Sequence, residues 1–275
     1  MRIRSGITRR IDLSYRSNRF AVVATLGSGI VAGGIGLLSG GGWWPAVADG
    51  VLAGGASFLA WATARELDPD HPASAEIAAV LAPVLLVAGP ANLLVMAVLL
   101  VSVRVVAGTT GRAARPIDLL LLGLAAALIC LRAGGGAVAI VAALAPALSA
   151  WWHPPARRLL FAGSGAMLLA VAALSVFVGD PGPWLQPEGF ERGLLVSGLA
   201  AGMVATWVVA PLRSATDSRQ GGRTLESRIR LARVMTVVAC VGAAVWSGAA
   251  GVLAVGPAWA ALGTTAVSSI AALGE

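Results

Sequence analysis

Long apolar segments recur along the whole chain, and the short connections between them carry almost all of the charge. A helix needs about 20 apolar residues to cross a hydrocarbon core about 30 Å thick, and most of these segments approach that length. They lie at 20–39, 46–64, 76–88, 91–107, 117–132, 137–152, 159–178, 193–212, 234–252 and 257–273. The segment 76–88 is short, so it either begins nearer Pro72 or is re-entrant. The sequence therefore predicts about ten membrane spans, within a range of eight to ten.

Composition agrees with this pattern. The chain is 57% hydrophobic and 12% charged, against about 45–50% and about 25% in soluble domains. The spans are rich in Gly and Ala, which lets neighbouring helices approach closely in a membrane. The predicted fold class is all-α, a polytopic integral membrane bundle of short helices. Residues 1–19 are predicted to form a basic cytoplasmic leader, and residues 20–275 a single transmembrane helical domain.

The arginines fall on alternate connections. The leader holds six of them, and most of the others lie in the connections at 65–75, 104–116, 153–158 and 213–233. The intervening connections hold only Arg192, with Arg132 at the end of a span. Because basic connections stay on the cytoplasmic side, both termini are predicted to be cytoplasmic in a multi-pass protein of the inner cell membrane. The net charge of +7 therefore indicates contact with anionic lipid headgroups and not with nucleic acid.

The absence of certain residue types narrows the chemistry. All 20 basic residues are Arg, so no lysine is present to form a Schiff base or to hold a nucleotide phosphate in a P-loop. The two cysteines, Cys130 and Cys240, lie singly in apolar spans and are predicted to be buried core residues. No span carries an acidic or basic residue at its centre, so the sequence offers no obvious proton relay or voltage sensor.

One connection concentrates polar residues. Between the second and third spans the chain reads Arg-Glu-Leu-Asp-Pro-Asp-His-Pro, and a further acid follows at the start of the next span. Oxygen ligands at this density suit Mg²⁺ or Mn²⁺, the only cofactors that the sequence suggests. The alternative is a rigid turn, in which the two prolines and the acids simply end one helix and cap the next. The candidate metal ligands are Glu66, Asp68, Asp70 and Glu76.

A basic patch on the next cytoplasmic connection could face this acidic cluster. Guanidinium groups from both connections could hold an anionic group such as a phosphate while the carboxylates hold the metal. The alternative is simple pairing of arginines with acids across the two turns, together with lipid headgroup contact. The candidate anion-binding residues are Arg65, Arg104, Arg112 and Arg115.

The acidic cluster resembles part of a known motif. Residues 65–72 are similar to the end of the aspartate-rich motif of the intramembrane aromatic prenyltransferases, which lies on the same cytoplasmic connection in that family. The resemblance implies a Mg²⁺-dependent transferase acting on a prenyl diphosphate. However, the family's upstream ligands fall on Ala60, Trp61 and Ala64, and its second acidic motif is absent. The resemblance covers eight residues and does not assign the chain to the family.

Three functions follow as hypotheses. Short glycine-rich helices with little mass outside the membrane favour a small permease-like transporter of a small or amphipathic solute. The acidic cluster opposite an arginine-rich connection favours instead a metal-dependent transferase acting on a lipid or prenyl diphosphate at the cytoplasmic face. A non-catalytic subunit of a larger membrane complex is the third hypothesis.

Overall fold

The computed structural model is all-helical, and it describes residues 11–110, 114–130, 132–154, 157–158, 160–166, 189–208 and 226–272. The named helices are α1 (Arg16–Leu38), α2 (Trp43–Leu67), α3 (Pro72–Leu85), α4 (Leu93–Ala107), α5 (Pro116–Ile129), α6 (Gly135–Ser149), α7 (Phe190–Trp207), α8 (Glu226–Ala254) and α9 (Gly256–Ala271). A single 3-10 turn, Ala150–Trp152, extends α6, and residues 157–158 and 160–166 are also helical.

Each named helix overlaps one of the predicted spans. The predicted span 159–178 and residues 1–10 of the leader lie largely or wholly outside the described residues. Among the described residues, four helical segments are long and apolar enough to cross a membrane, namely α1, α2, Gly135–Trp152 and α8. These helices indicate a helical membrane protein, while the number of spans and their orientation stay predictions.

Proline, asparagine and glycine fix several helix ends. Pro72 and Pro116 open α3 and α5 at positions where the missing amide hydrogen costs nothing. The side chain of Asn92 accepts a hydrogen bond from the Val95 amide at 3.2 Å and so caps α4. Gly108 ends α4 in the left-handed conformation, with φ at 63°. The observed start of α3 at Pro72 agrees with the first of the two alternatives for the short span 76–88.

Helix α8 departs from the prediction in two ways. Helix α8 begins at Glu226, so residues 226–233 belong to a helix and not, as predicted, to a connection. Its backbone is broken at Gly248, where φ is 56° and ψ is −139°, a conformation open to glycine and strained for other residues. Helix α8 therefore joins two helical pieces across a kink.

Helices α1 and α2 pack backbone to backbone through glycine. A side chain added at Gly50 would lie 2.8 Å from the carbonyl oxygen of Gly29, and one added at Gly54 would lie 2.8 Å from that of Thr25. Such close crossings of small residues are typical of helix pairs in lipid. Helix α1 is otherwise exposed along large apolar side chains such as Ile30, as expected of a helix that faces lipid.

The remaining core is built mainly from alanine, valine and leucine side chains of the inner helices. Helix α2 lies in contact with α1, α3, α4, α8 and α9. The end of α2 at Leu67 is therefore surrounded by other helices, and this is the end that carries the charged residues.

Candidate functional site

The charged residues that the sequence singled out lie where α2 ends. Helix α2 stops at Leu67, and Asp68 caps it, with its amide donating to the Ala64 carbonyl at 2.8 Å. Pro69 and Pro72 then force a tight reversal into α3. This geometry holds Glu66 and Asp68 against the neighbouring helices instead of against water.

Glu66 forms a buried ion pair with α4. The residue is fully buried, and its Oε1 accepts a hydrogen bond from Arg104 Nε at 2.8 Å. The Arg104 side chain is 16% exposed. The hydroxyl of Thr109 donates to the second carboxylate oxygen. Both oxygens of Glu66 are therefore occupied, and the pair joins the C-terminal ends of two helices.

Asp68 joins the following turn to α9. Asp68 is buried, with 1% of its surface exposed. One carboxylate oxygen lies 2.8 Å from His71 Nδ1, and the other accepts a hydrogen bond from the Ser268 hydroxyl. Asp68 thus links a half-exposed imidazole to a hydroxyl on a third helix.

Two arginines near the start of α8 complete this region. Arg233 is 3% exposed, and it donates from Nε to the Leu67 carbonyl at 2.8 Å and from Nη1 to the Ala205 carbonyl at 2.5 Å. Arg228 donates from Nε to the Val106 carbonyl at 2.6 Å. Carbonyl groups at helix C-termini lack partners within their own helix and carry partial negative charge, so these arginines bind the ends of α2, α4 and α7.

Together these residues define what we call the polar end of the bundle: Glu66, Asp68, Arg104, Arg228, Arg233 and Ser268. At the opposite end two contacts join uncharged groups of separate elements. The Asn92 amide donates to the Ala254 carbonyl at 3.0 Å, and the Gly134 amide donates to the Ser247 hydroxyl at 2.9 Å. Charge is therefore concentrated at one end of the described bundle.

The predicted anion-binding arginines make contacts with different elements of the structure. Arg104 pairs with Glu66 at 2.8 Å. Arg65 donates to the Pro69 carbonyl at 3.3 Å and so supports the turn. Arg115 precedes α5, and its amide donates to the Asp118 carboxylate at 2.8 Å, which caps that helix. Arg112 lies outside the described residues. A shared anion site of these four residues stays a prediction.

The predicted metal ligands differ in their burial. Glu66 and Asp68 are buried and bonded to side chains of other elements, whereas Asp70 and Glu76 are only partly buried. Among the described residues no three acidic, histidine or cysteine side chains form a group that could hold a metal ion. Since Arg104 and His71 already bond the two buried carboxylates, Mg²⁺ or Mn²⁺ would have to displace them. The metal site stays a prediction.

Sequence reasoning missed Arg228 and Arg233 as site residues, because it assigned both to a basic connection. The sequence did contain a signal, because the mainly apolar residues Ile229, Ala232, Thr236 and Cys240 recur at helical spacing. In the structure all four are buried. Arg233 falls on the same stripe. An arginine on the apolar face of a helix is costly in a membrane and is a functional candidate for that reason.

His153 lies beside the polar end, and the charge of Arg228 acts on its imidazole. Its ring packs against Phe161 with the centroids 4.2 Å apart, and Arg228 lies 5.3 Å from the centroid of the Trp152 ring. Burial lowers the pKa of His153, and the charges of Arg228 and Arg157 lower it further. Burial and the two positive charges therefore favour the neutral form of the imidazole.

An apolar groove of about 610 Å³ runs between α1 and α2, lined by residues such as Gly29, Ile30, Gly50 and Val51. No charged side chain lines it, so it suits a lipid acyl chain.

The chain matches no family model, no curated protein and no solved structure in comparisons with all three. The fold and the site define the class, a helical membrane protein with a buried charged cluster at one end of its bundle.

Proposed function

We propose that this protein is a small multi-pass transporter of a small or amphipathic solute, and that the polar end is the part that opens and closes during transport. One observation carries the proposal: buried charged side chains join separate helices at a single end of an otherwise apolar bundle. Glu66 on α2 pairs with Arg104 on α4 at 2.8 Å, and Arg233 on α8 binds the ends of α2 and α7.

The free energy of these contacts suits an interface that opens and closes better than one that stays permanently closed. A buried ion pair loses hydration and is often no more stabilising than apolar packing, so it is a poor choice for a permanent contact. When the end opens, water can solvate the separated charges, so the net cost of breaking a hydrogen bond to a charged group stays at about 1.5–3 kcal/mol. Apolar side chains over the same area would not be stabilised by hydration when the end opens.

The break in α8 supports the same function. Discontinuous helices are common in transporters, where their ends form substrate and ion sites. Gly248 supplies such a break. It lies 15 residues after Arg233, about 22 Å along a helix at 1.5 Å per residue. A motion about Gly248 would leave the arginine contacts at the polar end free to change on their own.

The metal-dependent transferase is less well supported. Its metal would need free carboxylate oxygens, but both oxygens of Glu66 and both of Asp68 already accept hydrogen bonds. We further propose that the protein lies in the inner cell membrane with both termini cytoplasmic and the polar end facing the cytoplasm. This orientation would place Arg157 and Arg158 beside anionic lipid headgroups.

The test is transport by the purified protein in liposomes. Charge movement is recorded on a supported membrane while neutral sugars, amino acids, organic anions and organic cations are applied in turn. We expect at least one class to give a saturable current with wild-type protein and a current reduced at least tenfold with Arg233→Gln. Gly34→Ala, which adds a methyl group in open space, should transport normally. Wild-type protein that is folded but silent for every class would contradict the proposal.

A further inference from the structure

The chain leaves α6 through a short basic turn. After the 3-10 turn Ala150–Trp152 come His153 and Pro154, and the Pro154 carbonyl accepts hydrogen bonds from the amides of Arg157 at 2.9 Å and Arg158 at 3.2 Å. Both arginines are exposed and are the first described residues of the next helical segment. The end of α6 is therefore followed closely by two exposed cations.

A third arginine reaches the same place from α8. Arg228 lies 5.3 Å from the centroid of the Trp152 ring, and Arg158 donates from Nε to the His153 carbonyl at 2.9 Å. Burial lowers the pKa of His153, and the charges of Arg228 and Arg157 lower it further, so both cations act on this one ring. We call Arg157, Arg158 and Arg228 the basic cluster, since all three lie around His153.

The basic cluster has no acidic partner in the described part of the chain. Elsewhere at the polar end, Arg104 pairs with Glu66 at 2.8 Å. On α8 itself, Arg230 pairs with Glu226 at 3.0 Å. Among the described residues, no ion pair includes a member of the basic cluster. Guanidinium groups bind phosphate well, because their N–H donors match its oxygens in pairs, so phosphate is the anion that this cluster fits best.

The surface beside the basic cluster is apolar, and this identifies the source of the phosphate. Trp151 is 81% exposed, and Leu160, two residues after Arg158, is 43% exposed. Exposed tryptophan beside arginine is typical of the headgroup level of a bilayer. A free phosphate ion has no apolar part to cover these side chains, whereas a phospholipid covers them with its acyl chains. The neighbouring side chains therefore favour a lipid phosphate.

We propose that the basic cluster and Trp151 form a binding site for one anionic phospholipid. Arg157 and Arg158 bind its phosphate oxygens from the exposed side, and Arg228 adds positive charge from α8. Trp151 and Leu160 contact its acyl chains. Because α6 and α8 are in contact, a phosphate bound between the arginines after α6 and the arginine of α8 holds the two helices together at the polar end. The site rests on the proposed orientation only for the leaflet that supplies the lipid.

Lipid titration of the purified full-length protein in a neutral detergent, followed by native mass spectrometry, tests the site. We expect wild-type protein to bind one molecule of dioleoylphosphatidylglycerol at least tenfold more tightly than dioleoylphosphatidylcholine. Both lipids carry a phosphate, but the choline cation of the second opposes binding to arginine. An equal concentration of inorganic phosphate should not displace the bound lipid. Equal affinity for the two lipids, or displacement by inorganic phosphate, would overturn the inference.

Two double variants with the same change in net charge locate the site. Arg157→Gln with Arg158→Gln should bind phosphatidylglycerol at least tenfold more weakly than wild type. Arg192→Gln with Arg230→Gln removes two exposed arginines from other places and should bind it as wild type does. An unchanged affinity in the first variant would overturn the inference, and so would an equal loss in both, since binding would then follow net charge alone.

Arg157→Gln by itself decides if the double variant does not fold. It keeps the hydrogen bond of Arg158 to the His153 carbonyl and should lose at least threefold in affinity for phosphatidylglycerol, with unfolding in the absence of lipid unchanged. A wild-type affinity in this variant would exclude the site. Since the titration contains no solute, a protein that transports nothing can still confirm the lipid site, and a transporter without this site can still be recognised as one.

Discussion

The pair of Glu66 and Arg104 is where a single substitution should have its largest effect. Glu66→Gln leaves the charge of Arg104 without a partner, and breaking a buried pair in this way costs about 3–5 kcal/mol. Because the Arg104 side chain is 16% exposed, we expect a loss in free energy of unfolding at the low end of that range. The measurement is unfolding of the purified protein in mixed micelles.

The double variant Glu66→Gln with Arg104→Gln is the matched control for that loss. It removes both charges, so its cost should fall short of the sum of the single costs by about 1–3 kcal/mol, as is typical of residues in direct contact. Additive single and double effects would mean that the two side chains do not interact in the membrane-embedded protein.

His153 should make stability depend on pH. Burial, and then the charges of Arg228 and Arg157, hold its pKa below the ordinary value, which is about 6.5 in an unfolded chain. The unfolded state therefore binds the proton more readily. The free energy of unfolding should fall as the pH drops below about 6.5 and level off below the folded-state pKa.

His153→Gln removes this contribution. Comparing unfolding at pH 7.5 and 5.5, we expect a smaller loss of stability on acidification in the variant than in wild type. Equal losses in the two proteins would show that His153 titrates alike in the folded and unfolded states.

At this scale the sequence predicted some partners and could not predict others. The concentration of acids and arginine between residues 65 and 76 marked the region that the structure brings together. The partners of Asp68 could not be found in this way, since Ser268 is 200 residues away in the chain. Only the packing of α9 against α2 brings that hydroxyl to the carboxylate.

At the scale of helices the sequence was a good guide, because apolar length and the positions of proline and glycine dictate where a membrane helix can begin and end. The start of α8 is the exception. Its first turns, Glu-Ser-Arg-Ile-Arg-Leu-Ala-Arg, are polar and were read as a connection. The ion pair of Arg230 with Glu226 at 3.0 Å and the tertiary contacts of Arg228 and Arg233 favour helix there, and hydropathy does not register such contacts.

The crossing of α1 and α2 gives a prediction at this scale. Gly50→Ala would place a methyl group 2.8 Å from the Gly29 carbonyl oxygen, closer than a carbon atom can lie, so α1 must shift. We expect a loss of about 1–3 kcal/mol in the free energy of unfolding, the usual cost of overpacking. Thermal unfolding of the purified protein measures it.

Gly34→Ala is the control for the crossing. It adds the same methyl group to α1, where no atom lies within 4 Å. Alanine is the better helix former by about 1 kcal/mol in water, so this variant should be neutral or slightly more stable. Destabilisation of equal size in Gly34→Ala and Gly50→Ala would mean that the close crossing is not what the glycines preserve.

For the whole molecule, orientation in the membrane follows from the arrangement of charge. Among the described connections, those after α2 and α4 meet at the polar end and have arginine in them or beside them, whereas those after α1 and α3 lie at the other end and hold glycine and no basic residue. The positive-inside rule predicts that the first group faces the cytoplasm. Cysteine labelling can then determine which group faces the cytoplasm.

Two exposed positions on the first two turns suit that experiment, Ser39 between α1 and α2 and Ala73 at the start of α3. The native Cys130 and Cys240 are both buried and should contribute little background. In intact cells, a maleimide that cannot cross membranes should label Ser39→Cys and leave Ala73→Cys unlabelled until the membrane is permeabilised. The reverse pattern would place the polar end outside the cell.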